Sequence, residues 1–194
     1  MKTLLITGFD SFGGAVINPS WEAVKRLPEK IGKYELCKLI LPTIYGKASG
    51  ILLEKAAEIR PDVIISVGQA GGRDAVTPER IAVNIRAARI PDNEGTLLDG
   101  DRIAPEGPAA YFSTLPVEAM RDAIRRKGIP SAVSNTAGSF VCNDVMYSAL
   151  HHYDGTGVRC GFIHVPYLPE QGEPNLALDR TMAALIAAIE ALDS

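Results

Sequence analysis

Strand-length apolar runs alternate with helical segments along most of the chain, and this alternation constrains the fold more than any other feature. The run at 63–67 reads Val-Ile-Ile-Ser-Val, a stretch rich in β-branched residues that is typical of a strand buried on both faces. Apolar periodicity predicts further strands at 4–7, 36–41, 81–88, 132–134 and 158–165, and helices at 19–27, 47–60, 117–127, 141–152 and 175–192.

A strand–helix–strand order of this kind predicts a mostly parallel sheet with helices on both faces. The fold class is therefore predicted to be α/β, as a three-layer αβα sandwich around a twisted, mostly parallel mixed sheet of the phosphorylase or hydrolase kind. The length suits a single domain over residues 1–194. Ligands bind such sheets outside the carboxyl ends of the strands. Loops after the strands at 4–7, 63–67 and 158–165 are thus expected to converge on one crevice.

The composition excludes several classes of function. Hydrophobic residues make up 46% of the chain, charged residues 22%, and the net charge is −3, so no footprint for nucleic acid or an anionic membrane is expected. The apolar run at 182–189 is too short to span a bilayer, and the apolar N-terminus is too short for a signal peptide. Three cysteines without a Cys-x-x-Cys pair argue against a disulfide framework or a zinc site. We therefore expect a cytoplasmic protein that needs no metal or other cofactor.

Cys142 is the candidate nucleophile. It follows a turn at 136–139 and falls in the first turn of the helix predicted at 141–152. The helix dipole at that position is expected to lower the pKa of the thiol. The alternative is a small buried hydrophobic residue, a common role for cysteine. Cys37 and Cys160 lie inside strand-like runs and are predicted to be structural.

His164 is the candidate base, because it interrupts an apolar strand just before Pro166. A buried histidine needs a partner, which a thiolate and a carboxylate would provide; the alternative is a core histidine satisfied by the backbone. A third group is expected to orient a catalytic histidine. Glu79 opens a strand after a glycine-rich segment and can face the crevice, although a solvated acid at a strand edge is the alternative. The full set of candidate acids is Glu79, Asp10, Asp99, Asp101 and Asp144.

Two glycine-rich segments follow predicted strands. The segment at 68–73 reads Gly-Gln-Ala-Gly-Gly-Arg and lacks both the GxGxxG spacing and the Gly-Lys-Ser/Thr ending of nucleotide loops. It is interpreted as a place where the backbone approaches a substrate closely. The segment at 8–14 carries Phe9 and Phe12 in a glycine loop. These aromatic rings are expected to line an apolar pocket, unless they fold back onto the core.

Six motifs together resemble the pyroglutamyl peptidase type I family, also called pyrrolidone-carboxylate peptidase. The motifs are Gly-Phe-Asp-x-Phe-Gly-Gly at 8–14, Asn-Pro-Ser at 18–20, Gly-Gln-Ala-Gly-Gly-Arg at 68–73, Glu-Arg-Ile-Ala-Val-Asn at 79–84, Ala-Gly-x-Phe-Val-Cys-Asn at 137–143 and Phe-Ile-His-Val-Pro-Tyr-Leu-Pro at 162–169. They occur in order over nearly the whole chain. Their combination is far more specific than any one of them.

The resemblance implies a thiol-dependent exopeptidase that hydrolyses N-terminal pyroglutamate from peptides and proteins through a thioester acyl-enzyme. It implies that Cys142 is the nucleophile, His164 the base and Glu79 the orienting acid, and that Arg89 stabilises the oxyanion. The implied substrate-binding residues are Phe9, Phe12, Phe140 and Gln69. It further implies a cytoplasmic homotetramer whose partners are pyroglutamylated peptides, with no metal.

Two other classes of function remain open at this point. A nucleoside phosphorylase-like enzyme would share an α/β sheet and glycine-rich loops, but it would need phosphate and would not depend on Cys142. A non-catalytic binding module that retains the lactam pocket is the second alternative. The presence of a cysteine, a histidine and a glutamate suited to a triad argues against that module.

Overall fold

A six-stranded mixed sheet organises the chain in this computed structural model, which describes residues 1–193. The strands of this sheet and of two small two-stranded sheets are β1 (Lys2–Phe9), β2 (Lys30–Ile31), β3 (Tyr34–Leu41), β4 (Val63–Gln69), β5 (Thr77–Pro78), β6 (Ile81–Val83), β7 (Arg86–Ala87), β8 (Asp99–Asp101), β9 (Ala110–Phe112) and β10 (Arg159–Val165). The α-helices are α1 (Pro19–Val24), α2 (Lys47–Ile59), α3 (Val117–Arg126), α4 (Val141–His152) and α5 (Leu178–Glu190).

The large sheet has the strand order β2-β3-β1-β4-β10-β5. Its four long strands, β3, β1, β4 and β10, run parallel, while the short edge strands β2 and β5 pair antiparallel to their neighbours. The predicted α/β fold with a mixed sheet is confirmed. Parallel pairing of β4 with β10 sets Gly68 directly opposite His164 near the carboxyl ends of both strands.

Buried side chains form two hydrophobic clusters, because successive side chains of a strand point to opposite faces of the sheet. Leu4 belongs to the first cluster, which includes residues of α1, α3 and α5, and Leu5 belongs to the second, which includes residues of α2 and α4. On β10, Ile163 joins the first cluster and Phe162 the second. His164 lies two residues beyond Phe162 and therefore faces the same side as α2 and α4.

The single strand predicted at 81–88 is wrong. Asn84 interrupts it, because its side-chain oxygen accepts the backbone N–H groups of Ile103 and Ala104 at 2.8 and 2.9 Å. The segment divides into β6, which pairs with β9, and β7, which pairs with β8.

Three smaller differences concern the ends of elements. Helix α1 ends at Val24 rather than at residue 27, because the residue before Pro28 is disfavoured in helical conformation. The strand predicted at 132–134 contributes only an isolated bridge between Ser134 and Glu79. The last helix begins at Leu178, three residues later than predicted. Within residues 1–193, no helix combines the length and the apolar character that a membrane crossing requires.

Candidate active site

Helix α4 presents Cys142 in its first turn, where the side chain lines a cavity of about 300 Å³. Gly138, with φ of 78°, adopts the left-handed conformation in the turn that leads into the helix. Phe140 then occupies the N-cap position with extended backbone, and the helix begins at Val141 as predicted. The loop before α4 thus carries Phe140 into the same cavity as Cys142.

Gly68 makes room for the sulfur of Cys142. A methyl group at Gly68 would lie 2.9 Å from Cys142 Sγ and 2.7 Å from the ring of Phe162. Contacts this close are essentially not tolerated, so a larger residue would displace the sulfur or the ring. Two groups therefore closely approach the backbone at this glycine, the ring of Phe162 and the sulfur of the candidate nucleophile.

His164 and Glu79 form a buried pair at the edge of the large sheet. The Nδ1 atom of His164 lies 2.7 Å from Oε1 of Glu79. Glu79 directly follows β5, and its backbone N–H donates to the carbonyl of Phe162 on β10 at 2.9 Å. Because an ionised carboxylate only accepts hydrogen bonds, Nδ1–H is the donor. Nε2 of the imidazole therefore keeps a free lone pair.

The other candidate acids have different roles in the structure. Asp10 accepts the backbone N–H of Thr43 at 2.7 Å. Asp144 is fully buried and forms an ion pair with Arg86 at 2.7 Å. Asp99 and Asp101 are exposed on β8. Of the five acids, Glu79 alone is hydrogen-bonded to His164 within residues 1–193.

Arg73 is a residue of the site that the sequence analysis did not single out. Its Nη1 atom lies 2.6 Å from Oε1 of Glu79 and 2.6 Å from the hydroxyl of Thr77, and its Nη2 atom donates to the carbonyl of Thr136 at 3.2 Å. Oε1 of Glu79 thus interacts with both Arg73 and His164. Arg73 also lines the cavity, so a guanidinium and an imidazole share one oxygen of the buried carboxylate.

The charges at the site favour a neutral thiol. Burial and the carboxylate of Glu79 raise the pKa of Cys142 to about 12, although Arg73 opposes them. The prediction that the helix dipole lowers this pKa is wrong, because desolvation of a thiolate outweighs the dipole here. Burial likewise lowers the pKa of His164, against the opposing effect of Glu79. Both shifts favour the uncharged forms of the thiol and the imidazole.

Glu79 is ionised even though its side chain is completely buried. Burial by itself favours the protonated acid, but interactions with His164, Ser134 and Arg73 outweigh it and lower the pKa of the carboxyl group. The structure thereby holds a fixed negative charge next to the imidazole, where it stabilises the imidazolium form.

The predicted pocket residues line the same cavity as Cys142 and His164. The rings of Phe12 and Phe140 lie 6.0 Å apart. Phe9 is almost completely buried and packs against Phe162 with ring centroids 6.2 Å apart, so it contributes to the core as well as to the cavity wall. The predicted residues that line the cavity are Phe9, Phe12, Phe140 and Gln69. Asn18 and Thr43, which had not been predicted as pocket residues, also line it.

Arg89 lies apart from this group. It is exposed, follows β7, and is not among the residues that line the cavity. Its role in stabilising an oxyanion therefore stays a prediction. The groups near the sulfur that can serve an oxyanion are the backbone N–H groups of the first turn of α4, because those have no acceptor within the helix.

The arrangement is suited to acyl transfer. It combines a thiol, a neutral imidazole that can take the thiol proton, and a carboxylate that orients the imidazole. The N-terminus of α4 supplies hydrogen-bond donors for negative charge that develops on a carbonyl oxygen. Residues 1–193 contain no group of three or more histidine, cysteine, aspartate or glutamate residues placed to hold a metal ion.

Relatives of the chain are recognisable in both sequence and structure. A family model described as pyroglutamyl peptidase matches residues 1–194. A pyrrolidone-carboxylate peptidase from Levilactobacillus brevis is 50% identical, with 97% of this chain and 96% of the relative covered. One from Escherichia fergusonii is 49% identical, with 97% and 92% covered.

Solved structures agree with these relatives. The crystal structure of pyroglutamyl peptidase I from Bacillus amyloliquefaciens superposes with a TM-score of 0.95 at 46% identity, over 99% of this chain and 97% of that chain. A mutant pyrrolidone carboxyl peptidase from P. furiosus gives a TM-score of 0.94 at 43% identity, over 99% of both chains. The similarity covers almost all of the chain, including the segments that line the cavity.

Proposed function

Because the chain belongs to the pyroglutamyl peptidase family, we propose that Cys142, His164 and Glu79 are the catalytic triad with which it removes N-terminal pyroglutamate from peptides. The activity is that of a cysteine exopeptidase, and the thioester mechanism follows from the family. The observation that supports the assignment of residues is a single cavity lined by Cys142 and His164, with Nδ1 of His164 2.7 Å from Glu79.

The first half of the reaction forms the thioester. Nε2 of His164 takes the thiol proton while Sγ of Cys142 attacks the carbonyl carbon that links pyroglutamate to the next residue. Thiol and imidazole are both neutral at rest, so proton transfer accompanies the attack. Glu79 stabilises the imidazolium that results, and Arg73 helps to keep Glu79 ionised. The imidazolium then protonates the leaving amine as the carbon–nitrogen bond breaks.

The second half of the reaction hydrolyses the thioester. Nε2 of His164, which has given its proton to the amine, takes a proton from water while the water oxygen attacks the thioester carbonyl. When the carbon–sulfur bond breaks, the proton returns to Sγ of Cys142 and free pyroglutamate leaves. No group outside the triad has to change its protonation state.

Negative charge on the carbonyl oxygen needs hydrogen-bond donors. The backbone N–H of Cys142 is one proposed donor, and a donor of this kind contributes roughly 3 kcal/mol to transition-state stabilisation. Arg89 is the second proposed donor, as the family resemblance implies.

The walls of the cavity account for the choice of substrate. Pyroglutamate ends in a flat, uncharged lactam, which suits the space beside the rings of Phe12 and Phe140 and can hydrogen-bond to Gln69. A charged N-terminal amine or a glutamate side chain would lose its hydration there without compensation. Phe9 closes the cavity on the side of the core.

Other features of the protein are proposed on the same basis. Two hydrophobic clusters on opposite faces of the sheet support a three-layer αβα sandwich within one cysteine-peptidase domain over residues 1–194. A homotetrameric assembly and a cytoplasmic location are proposed from the family resemblance.

The assignment of the nucleophile is tested with a pyroglutamyl arylamide in phosphate-free buffer. We expect Cys142→Ala to reduce kcat/KM by about a thousandfold or more, because the covalent step is lost. Cys37→Ser is the matched control and should retain wild-type activity, since Cys37 lies on β3 and does not line the cavity. Wild-type turnover by a folded Cys142→Ala protein would refute the assignment.

A further inference from the structure

A second cavity adjoins the one that contains Cys142. It measures about 790 Å³ and shares the lining residues Phe12, Gln69 and Gly71 with the first. Its other walls are the loop at 13–17, Ile90 and the segment that carries Tyr167, Glu170 and Gln171. We call this second cavity the outer groove. The triad chemistry requires none of the residues that belong to the outer groove alone.

The walls of the outer groove are joined by specific contacts. Gln171 donates to the side-chain oxygen of Gln69 at 2.9 Å and to the carbonyl of Ile17 at 3.3 Å, which links three separate segments of the chain. Tyr167 packs over Gly71 so closely that any side chain at Gly71 would overlap its ring. The passage between the two cavities is therefore part of the folded structure rather than a gap between loops.

The outer groove is lined mainly by apolar residues and glycine, and it carries a single charge. Val16 is 93% exposed and Ile90 46% exposed. Large apolar side chains at the rim of the outer groove are therefore not buried by other described residues of the chain. Glu170 is the one charged residue that lines it, and its side chain is exposed. Uncovered apolar side chains beside a catalytic cavity are typical of a ligand-binding surface.

We propose that the outer groove binds the residues that follow pyroglutamate in the substrate, and that it selects an apolar first residue and a neutral or basic second residue. The inference rests on the proposed function, in which the scissile bond lies at Cys142. The peptide chain that follows pyroglutamate must extend out of the inner cavity, and the outer groove adjoins that cavity, with which it shares the walls Phe12, Gln69 and Gly71. A free C-terminal carboxylate close to the bond would be repelled by Glu170.

The electrostatic part of the proposal is tested with two amidated peptides, pyroglutamyl-Leu-Lys-amide and pyroglutamyl-Leu-Glu-amide. The wild-type protein should cleave the lysine peptide with a kcat/KM about threefold higher, a ratio typical of a single exposed charge. Glu170→Gln should bring the ratio close to one. Glu54→Gln, which removes an exposed acid on α2, is the matched control and should keep the wild-type ratio. An unchanged ratio in Glu170→Gln would overturn the assignment of Glu170.

The apolar part is tested with pyroglutamyl-Leu-Gln-amide and pyroglutamyl-Gly-Gln-amide. Val16→Ser should reduce the preference for leucine over glycine by about fivefold, because contact area with the leucine side chain is lost. Phe112→Ser, at an exposed aromatic residue outside both cavities, should leave the preference unchanged. If Val16→Ser keeps the preference but lowers the molecular mass in solution, the outer groove is a contact between copies of the chain and the proposal is wrong.

The two proposals fail in different ways. If the wild-type protein cleaves no pyroglutamyl arylamide, the proposed function itself fails. If it cleaves the arylamide but shows equal preferences in the wild type, Glu170→Gln and Val16→Ser, only the outer groove proposal is refuted.

Discussion

Burial and the carboxylate of Glu79 raise the pKa of Cys142 to about 12, which favours the protonated thiol. Many thiol enzymes instead hold a preformed thiolate beside an imidazolium. Here the opposite shift of His164 also favours the uncharged pair, because burial lowers its pKa. In the proposed reaction these shifts favour a thiolate that forms during attack on the substrate.

Alkylation of Cys142 should consequently depend steeply on pH. We expect the rate of inactivation by iodoacetamide to rise about tenfold per pH unit between pH 7 and 9, because the thiolate fraction grows in that proportion well below the pKa. The measurement is residual cleavage of a pyroglutamyl arylamide, and free cysteine, whose rate levels off near its own pKa, is the control. A rate that is already constant above pH 7 would reveal a thiolate–imidazolium pair and contradict the expectation.

Sequence motifs and family resemblance were sufficient to select the three triad candidates, and the structure places them together. Arg73 was missed because its ion pair with Glu79 arises only when the loop between β4 and β5 turns back on itself. The sequence feature that could have identified Arg73 is its position, as a basic residue at the end of a glycine-rich segment that follows a strand. The direction of the Cys142 pKa shift could not be predicted, because it depends on how completely the fold removes the sulfur from water.

Helix α4 is fixed to the neighbouring strands at its first turn. The buried side chain of Asn143 accepts the N–H of Val83 at 2.9 Å and donates to the carbonyls of Val83 and Ile85 at 2.8 and 3.0 Å. Next to it, Asp144 pairs with Arg86 and accepts a further backbone N–H. The residue before these two is Cys142, so these contacts set the position of the sulfur.

Removal of the Asn143 side chain should affect both stability and activity. Asn143→Ala removes the partner of the Val83 N–H and of the Ile85 carbonyl, and leaves the carbonyl of Val83 with only the N–H of Ile85, so we expect it to lower the free energy of unfolding by about 2 kcal/mol. We also expect kcat/KM to fall by about tenfold in the folded protein, since a displaced nucleophile loses its alignment. Urea unfolding and arylamide cleavage provide the measurements. Ser148→Ala, on the same helix, is the control, and full activity in folded Asn143→Ala would show that the amide does not position Cys142.

For helices and strands, local sequence patterns predicted the structure correctly where local interactions determine it. Helix α4 has the predicted boundaries, because a glycine turn precedes it and apolar periodicity continues to its end. The alternation at 81–88 was misleading, because Asn84 binds backbone groups about 20 residues further along the chain. No local pattern reveals a contact at that separation.

The folded molecule buries His164, and a buried imidazole takes up a proton less readily than one exposed to water. In the unfolded chain the pKa of His164 is near 6.5, and burial in the folded protein lowers it. Below pH 6.5 the unfolded state therefore binds more protons than the folded state, and the fold loses stability as the pH falls. The effect fades as the pH rises above 6.5, because the histidine of the unfolded state then also becomes neutral.

The thermal unfolding midpoint should accordingly decrease as the pH is lowered from 7 to 5.5. The expected slope in the free energy of unfolding approaches, at most, about 1.4 kcal/mol per pH unit. His164→Gln should weaken this dependence, while His152→Gln, at an exposed histidine on α4, should leave it intact. Scanning calorimetry at fixed protein concentration is the measurement. An identical pH dependence in His164→Gln and the wild type would rule out the buried histidine as the cause.

The two hydrophobic clusters pack on opposite faces of the sheet, and the cavity lies beside the second cluster. Among the described residues, none from α1, α3 or α5 lines the cavity that contains Cys142. Substitutions that repack the first cluster can therefore raise thermal stability. The face of the sheet that carries the cavity stays unchanged. Repacking that aims at a higher unfolding temperature with the same specificity would begin with the cluster around Met120, Ile124 and Leu185.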